Sequence, residues 1–286
     1  MSSDRGRLLQ GDGRTHIESP LMRESLVDRK VIARTGSEHA FEVLPDVIMV
    51  GIGGQSIFDR GKDAILPVAE ELAEARGKVR MLVGVGGGTR VRHTISLALD
   101  LGLPTGGVAQ LVGAMEEANA VLLNALLAKK RSMVMQREHF WELPLYLENG
   151  MLPIVISTPP YHFWEPPSEG GPLPTHGSDF GLWMLAEVLG MKKLICVKDV
   201  DGLYDRDPKK HADARFIKKT TLTALFADMP DDLPIDRQLL DAWRNGRHVE
   251  RVQIVNGLRR GELTRALAGE EVGTIIERGQ GGVFNA

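Results

Sequence analysis

The chain has 286 residues, of which 26% are charged and 43% hydrophobic, an ordinary make-up for a globular protein. At this length roughly three quarters of the unfolded surface is buried on folding, so no staples are needed. The formal net charge is −3 and no basic run stands out, which argues against nucleic-acid binding.

One cysteine, Cys196, rules out an internal disulfide and leaves a thiolate metal site without ligands. It lies in the apolar run Leu194-Ile195-Cys196-Val197 and reads as a small buried residue. No apolar run approaches the ~20 residues of a membrane span. Met1 to Gly13 is polar, carries Arg5 and Arg7, and lacks the apolar middle of a signal peptide. The cytoplasm is the expected location.

Residues 1–40 read as an extension whose polar start is expected to be disordered. Ser19-Pro20 is placed to begin a short helix through Leu26, with Ser19 as N-cap. Residues 41–286 then alternate strand and helix. Val47 to Val50 is a continuous apolar run, as suits a central parallel strand, and ends at Gly51-Ile52-Gly53-Gly54. A helix follows over about 61–76. Met81-Leu82-Val83 is a second buried strand, ended by Gly84-Val85-Gly86-Gly87-Gly88, and Arg90 to Leu101 has helical spacing.

A long helix is expected over 108–129, with Val108, Leu111, Met115, Leu122 and Leu126 as its apolar face. Ser132 to Met135 and Leu152 to Ile156 are further strands. Residues 158–177 hold six prolines, too many for a helix or a central strand, and form a loop of functional length. The second half gives a helix over 179–189, a strand over 194–197 and N-caps at Thr221 and Asp236. A strand over 251–255, a helix over 262–267 and a last strand over 273–277 complete it. Such repeated units build a parallel sheet with helices on both faces.

Chemistry concentrates in three stretches. The glycine clusters Gly51, Gly53, Gly54 and Gly84, Gly86, Gly87, Gly88 each follow a buried strand, where peptide N–H groups come close to a phosphate and a following helix adds its positive end. Neither is a P-loop or a dinucleotide fingerprint. Arg90 adjoins the second cluster and is favoured over Arg92 as an anion-binding cation. The third stretch runs from Lys198 to Pro208. It takes Lys198, Asp199, Asp201, Gly202, Tyr204 and Asp207 off a buried strand into a turn. Lys198 can reach phosphates there, and a carboxylate can help position Mg2+.

The order strand-G-x-G-G, strand-G-G-G, Asp179 opening a helix, then K-D-x-D-G-L-Y-x-x-D-P resembles the amino-acid-kinase family, uridylate kinases above all. Asn256-Gly257-Leu258 and Gly261 to Leu267 add to the likeness. Further stretches resemble the molybdenum-storing branch of that family: Leu21 to Leu26, Ile52 to Ser56, Asp59-Arg60-Gly61, Leu99 to Pro104 and Pro159-Pro160-Tyr161.

The resemblance implies a three-layer α/β/α sandwich, with an acceptor or cluster lobe over about 41–190 and a nucleotide lobe over 191–286. It implies ATP with Mg2+ at Gly51, Gly53, Gly54, Gly86 to Gly88 and the Lys198–Pro208 stretch, with Lys198, Asp179 and Arg90 acting on phosphates. It implies molybdate or tungstate held as polyoxometalate clusters by His162, Glu165, His176, Glu117 and Asn119, inside a homo- or hetero-hexamer of related subunits. One departure stands out. Family members carry lysine two residues before the first Gly-Gly pair, where this chain has Gly51. Loss of such a cation commonly lowers a rate ~10^2-fold, so efficient phosphotransfer is not expected. The competing readings are a small-molecule kinase such as a uridylate kinase, and a weakly catalytic nucleotide-binding partner subunit.

Overall fold

The computed structural model describes residues 8–11, 14–17, 42–157, 177–208, 210–230 and 232–279. The chain divides into two units, residues 1–41 and 42–286. Within the first, strands β1 (Leu8–Gly11) and β2 (Arg14–Ile17) pair as an antiparallel hairpin. The helix expected at Ser19 lies outside the described residues.

The second unit is built on one eight-stranded sheet. In chain order it contains β3 (Ile48–Ile52), α1 (Lys62–Ala75), β4 (Met81–Val85), α2 (Thr89–Asp100), α3 (Thr105–Leu127), β5 (Ser132–Val134), α4 (Leu143–Glu148), β6 (Leu152–Ile156), α5 (Ser178–Val188) and β7 (Lys193–Lys198). Then come β8 (Leu203–Tyr204), β9 (Phe216–Ile217), β10 (Lys219–Thr221), α6 (Leu222–Ala227), α7 (Arg237–Trp243), β11 (Arg251–Asn256), α8 (Glu262–Leu267) and β12 (Thr274–Glu277).

The sheet order is β10-β12-β11-β7-β3-β4-β6-β5. The run from β11 to β5 is parallel, and β12 reverses direction against β11. Successive residues of each central strand feed opposite cores, as the pleat demands. Met49, Leu82, Leu194 and Val252 join Leu182, Trp183 and Trp243 on one face. Val50, Val83, Ile195 and Val255 join Val68, Leu123 and Leu263 on the other. Helices cover both faces of a mainly parallel sheet, the expected sandwich.

The long helix begins earlier than expected, at Thr105, and its inner face differs from the expected one. Leu111, Leu122 and Leu126 are exposed, while Ala109, Gly113, Glu116, Asn119, Ala120, Leu123 and Leu127 are buried. Val108 is buried as expected, but the rest of the inner face is made by small residues, two polar side chains, Leu123 and Leu127, with Leu111, Leu122 and Leu126 turned outward. By length and composition the segment Thr105–Lys130 could cross a bilayer, yet its buried face packs within this fold.

Gly51 and Gly84 are directly paired across β3 and β4. A Cβ on Gly51 would lie 2.8 Å from Leu182 Cδ1, and one on Gly84 would overlap both Leu182 methyl groups. The two glycines thus form a hole in the sheet surface that Leu182 of α5 fills. Replacing Gly84 with alanine is expected to destabilise the protein by about 1–3 kcal/mol through overpacking. Adding Leu182→Ala should give a double mutant less destabilised than the sum of the singles, because the two groups share one space. Additive unfolding energies in denaturant would show that the hole is not what limits the packing.

Candidate functional site

The carboxyl ends of β3, β4 and β7 meet at a cavity of about 830 Å3. Its walls include Gly53 to Ser56, Gly87, Gly88, the start of α5, Lys198 to Val200 and Asp232 to Asp236. Ligands of open α/β sheets sit at this end.

The two glycine turns are pressed against each other. A Cβ on Gly54 would run into the Gly88 backbone, and one on Gly86 would lie 3.0 Å from Gly54 N. Glycine is required by this backbone-to-backbone approach. The turns leave a set of donors. Gly53 N–H donates to the Val197 carbonyl and Gly86 N–H to that of Ile52. The N–H groups of Gly54, Gln55, Ser56, Gly87 and Gly88 find no acceptor among the described residues. Asn119, buried in α3, donates 2.7 Å to the Gly86 carbonyl and accepts from Arg90, which fixes the second turn against the helix.

Lys198 stands at the end of β7 with its ammonium 2.8 and 2.7 Å from the two Asp179 oxygens. Asp179 is buried and Lys198 is mostly so. Burial alone would pull the Lys198 pKa down, but the facing Asp179 carboxylate outweighs it and the ammonium is held charged above its usual range. Asp179 opens α5, where negative charge suits the helix dipole.

Asp236 behaves differently from the N-cap expected of it. It precedes α7 but makes no side-chain cap there. Its carboxylate instead accepts from Phe180 N–H at 3.0 Å, capping α5 across the cavity. Burial and then Asp179 raise its pKa to about 6. The folded chain therefore keeps a proton that the unfolded chain releases nearer 3.8, and this group's contribution to stability falls as pH rises through that window. The start of α2 is capped in the same way, by Asp59, whose carboxylate accepts from Thr89 N–H at 2.6 Å. Both helix ends at the cavity thus already hold a carboxylate.

The Lys198–Pro208 stretch is tied down at several points. Asp199 pairs with Arg60 of the turn after β3. Asp201 pairs with Arg259 at 2.5 Å and accepts from Asn256 at 2.7 Å. Gly202 has φ +145, and a Cβ there would strike Thr274, whose hydroxyl accepts from Leu203 N–H at 2.8 Å. Tyr204 lines the cavity and packs edge-on against Phe216, 5.4 Å between centroids. Asp207 and Pro208 also line it.

Among the other expected site residues, Gly51 faces Leu182. Arg92, the less favoured cation, lines the cavity, while Arg90 is engaged with Asn119. Glu117 accepts from Gln136 at 2.5 Å, and it is the neighbouring Glu116, buried and bonded to Ser157, that faces the cavity. His162, Glu165 and His176 lie outside the described residues. No cluster of metal-ligating side chains occurs among the described residues.

Sequence reasoning missed Glu116, Leu182 and Asp232, and named Asp59 and Arg60 only as part of a stretch of family likeness, without a place in the site. The residue types were visible, but which side of a turn or helix each occupied was not. Among the described residues the cavity wall carries six carboxylates (Glu116, Asp179, Asp199, Asp207, Asp232, Asp236) against three cations (Arg92, Lys198, Arg206).

The model of the amino acid kinase family matches residues 46–256. The chain is 41% identical over 260 residues to molybdenum storage protein subunit beta of Azotobacter vinelandii, covering 91% of this chain and 96% of that protein. It is 29% identical over 248 residues to a uridylate kinase of Methanobrevibacter smithii, covering 80% and 98%. In structure it is similar to uridylate kinase from Archaeoglobus fulgidus, with TM-score 0.63 and 20% identity over 80% of this chain and 99% of the other. A UMP kinase from Bacillus anthracis superposes with TM-score 0.63 at 19% identity, covering 82% of this chain and 97% of the other; these two show the shared fold. The protein therefore belongs to the amino acid kinase family and is a homologue of molybdenum storage protein subunit beta.

Proposed function

We propose that this chain is a cytoplasmic ATP-binding subunit of an assembly that stores molybdate or tungstate. The observation that carries the nucleotide half is the set of peptide N–H groups on two abutting glycine turns, from Gly54 to Ser56 and at Gly87 and Gly88, without protein acceptors among the described residues. Such donors cradle phosphate oxygens. The ammonium of Lys198 lies within the same cavity. The storage half comes from the likeness to molybdenum storage protein subunit beta over nearly the whole chain. That name also supports partner subunits, and a hexamer of homologous chains is the assembly proposed.

The excess of carboxylates fits a metal-bound nucleotide better than a bare one. Asp199 and Asp201 are held by Arg60 and Arg259, and Asp236 by the start of α5, which leaves Asp232 as the described acid best placed to help hold Mg2+. When bound, that ion supplies neutralisation of phosphate charge. The chain's own residues position the polyphosphate, with peptide N–H groups on its oxygens and Lys198 kept charged by Asp179. Tyr204 offers an apolar face to the rest of the nucleotide.

A uridylate kinase activity is the second reading, favoured by the kinase relatives and by Arg92 in the cavity wall. Gly51 speaks against it, because Leu182 fills the room that a lysine stem would need.

Protein produced with molybdate and analysed for metals should carry many molybdenum atoms per chain; a ratio at background ends the storage reading. Calorimetry with ATP should show binding at least tenfold weaker once Mg2+ is chelated, and absence of heat with Mg-ATP would remove the nucleotide site altogether. Gly51→Lys alone should give a strained protein with little activity. Combined with Leu182→Ala it should raise ATP hydrolysis on the order of 10^2-fold, the worth of one well-placed positive donor. An unchanged rate in a folded double mutant would show that the missing cation is not the defect.

A further inference from the structure

The face of α3 turned away from the cavity is apolar and uncovered among the described residues. Leu111, Val121, Leu122 and Leu126 are between 38% and 54% exposed, with Ala114, Ala118 and Ala125 exposed among them. The two acids of this stretch bring no free charge to that face. Glu116 is buried on Ser157, and Glu117 accepts from Gln136. The neighbouring α2 packs against α3 and adds Leu97 and Leu101, 53% and 67% exposed. Contiguous apolar surface of this kind marks an interaction site.

The order of large and small residues selects the partner. Leu111 stands seven residues before Ala118 and Ala125 seven after it; Ala114 stands four before and Leu122 four after. These positions share one stripe at helical spacing. Two copies of the helix laid antiparallel, with a two-fold axis at Ala118, set Leu111 over Ala125 and Leu122 over Ala114. Each large side chain meets a small one, and the two Ala118 methyls allow close approach, as interdigitated helices require. A parallel pair would set leucine on leucine and leave alanine facing alanine.

The charges at the two ends agree. Asp100 is exposed just before α3, Lys129 and Lys130 just after it, and no ion pair holds any of them among the described residues. Antiparallel pairing brings acid to base at both ends, whereas parallel pairing gathers the lysines.

We propose that this chain pairs with a second copy of itself through the outer face of α3, antiparallel, with the two-fold axis at Ala118. Such an isologous contact uses the same patch on both copies and closes on itself. The inner face of the same helix places Glu116 in the cavity wall and Asn119 on the Gly86 turn. Pairing therefore sets the cavities of two copies back to back across one pair of helices. The inference deepens the assembly reading given above, and rests on it only for the larger assembly that such pairs build.

The test uses the full chain. Sedimentation should show dimers or multiples of dimers. Leu122→Asp changes an exposed position, so circular dichroism should be unchanged, while two unpaired carboxylates at the contact should weaken association about a hundredfold. Cys196 is buried, so introduced cysteines report alone. Under copper–phenanthroline oxidation Ala118→Cys should link to itself. Leu111→Cys and Ala125→Cys should not self-link, yet should link to each other when the two variants are co-expressed.

Self-linking of Leu111→Cys overturns the antiparallel register, and dimers insensitive to Leu122→Asp overturn the face. A chain that sediments as a single copy and pairs only with a different homologous subunit overturns self-recognition. One that stays single and floats with phospholipid vesicles assigns the face to a membrane instead. Pairing in a protein that retains no molybdate from cells sinks storage and leaves the interface. Retained molybdate in an assembly that none of these variants alters sinks the interface and leaves storage.

Discussion

The buried ion pair between Lys198 and Asp179 holds the site together. It joins the end of the central strand β7 to the first turn of α5, the helix that directly precedes it in the chain. Removing one partner from such a pair leaves an uncompensated charge in a poorly solvated place, typically at a cost of about 3–5 kcal/mol. Neither residue can therefore be changed independently of the other. The pair fixes the position of the cation, and through Asp179 it sets the electrostatic environment of Asp236. Burial first, and then the Asp179 carboxylate beside it, makes the ionised form of Asp236 unfavourable. The acidic wall of the cavity is in this sense one coupled system rather than a row of separate acids.

Around the pair, the protein uses carboxylates where a phosphate-binding fold leaves helix ends open. Asp59 caps α2 and Asp236 caps α5, each reaching from a different segment. An incoming polyanion consequently meets peptide groups of the turns, not helix termini. Asp199 and Asp201 have their own arginines, so the lysine-bearing turn is braced before any ligand arrives. A braced, acid-rich cavity suits retention of a metal-bound nucleotide. A rapid exchange of phosphoryl groups would need the Lys198 ammonium freer than its pairing with Asp179 leaves it.

Much of the fold could be read from the sequence because its signals are local. Continuous apolar runs ended by glycine gave the parallel strands, and the 262–267 helix appeared with the expected bounds. The long helix shows where such reading stops. Val108, Leu111, Met115, Leu122 and Leu126 suggested one face; the fold buries Val108 but turns the three leucines outward, and packs Leu123 and Leu127 inward with the small and polar residues. Size and polarity say little when a helix must approach a sheet closely and also present Glu116 and Asn119 to a site. The same limit applied to Asp236, whose cap-like position before α7 was legible but whose partner, 56 residues earlier, was not. Gly51 was noticed for the lysine it replaces. Only the packing of Leu182 shows what the vacated space is used for.

That packing has a mechanical side. A leucine seated in a two-glycine pit acts as a peg, so α5 cannot slide along its axis or turn without first withdrawing Leu182 from the sheet. Repacked cores change between discrete arrangements rather than by gradual drift, and the next equivalent seat along a helix is a full turn, about 5.4 Å, away. The wall of the cavity that carries Asp179 is accordingly stationary.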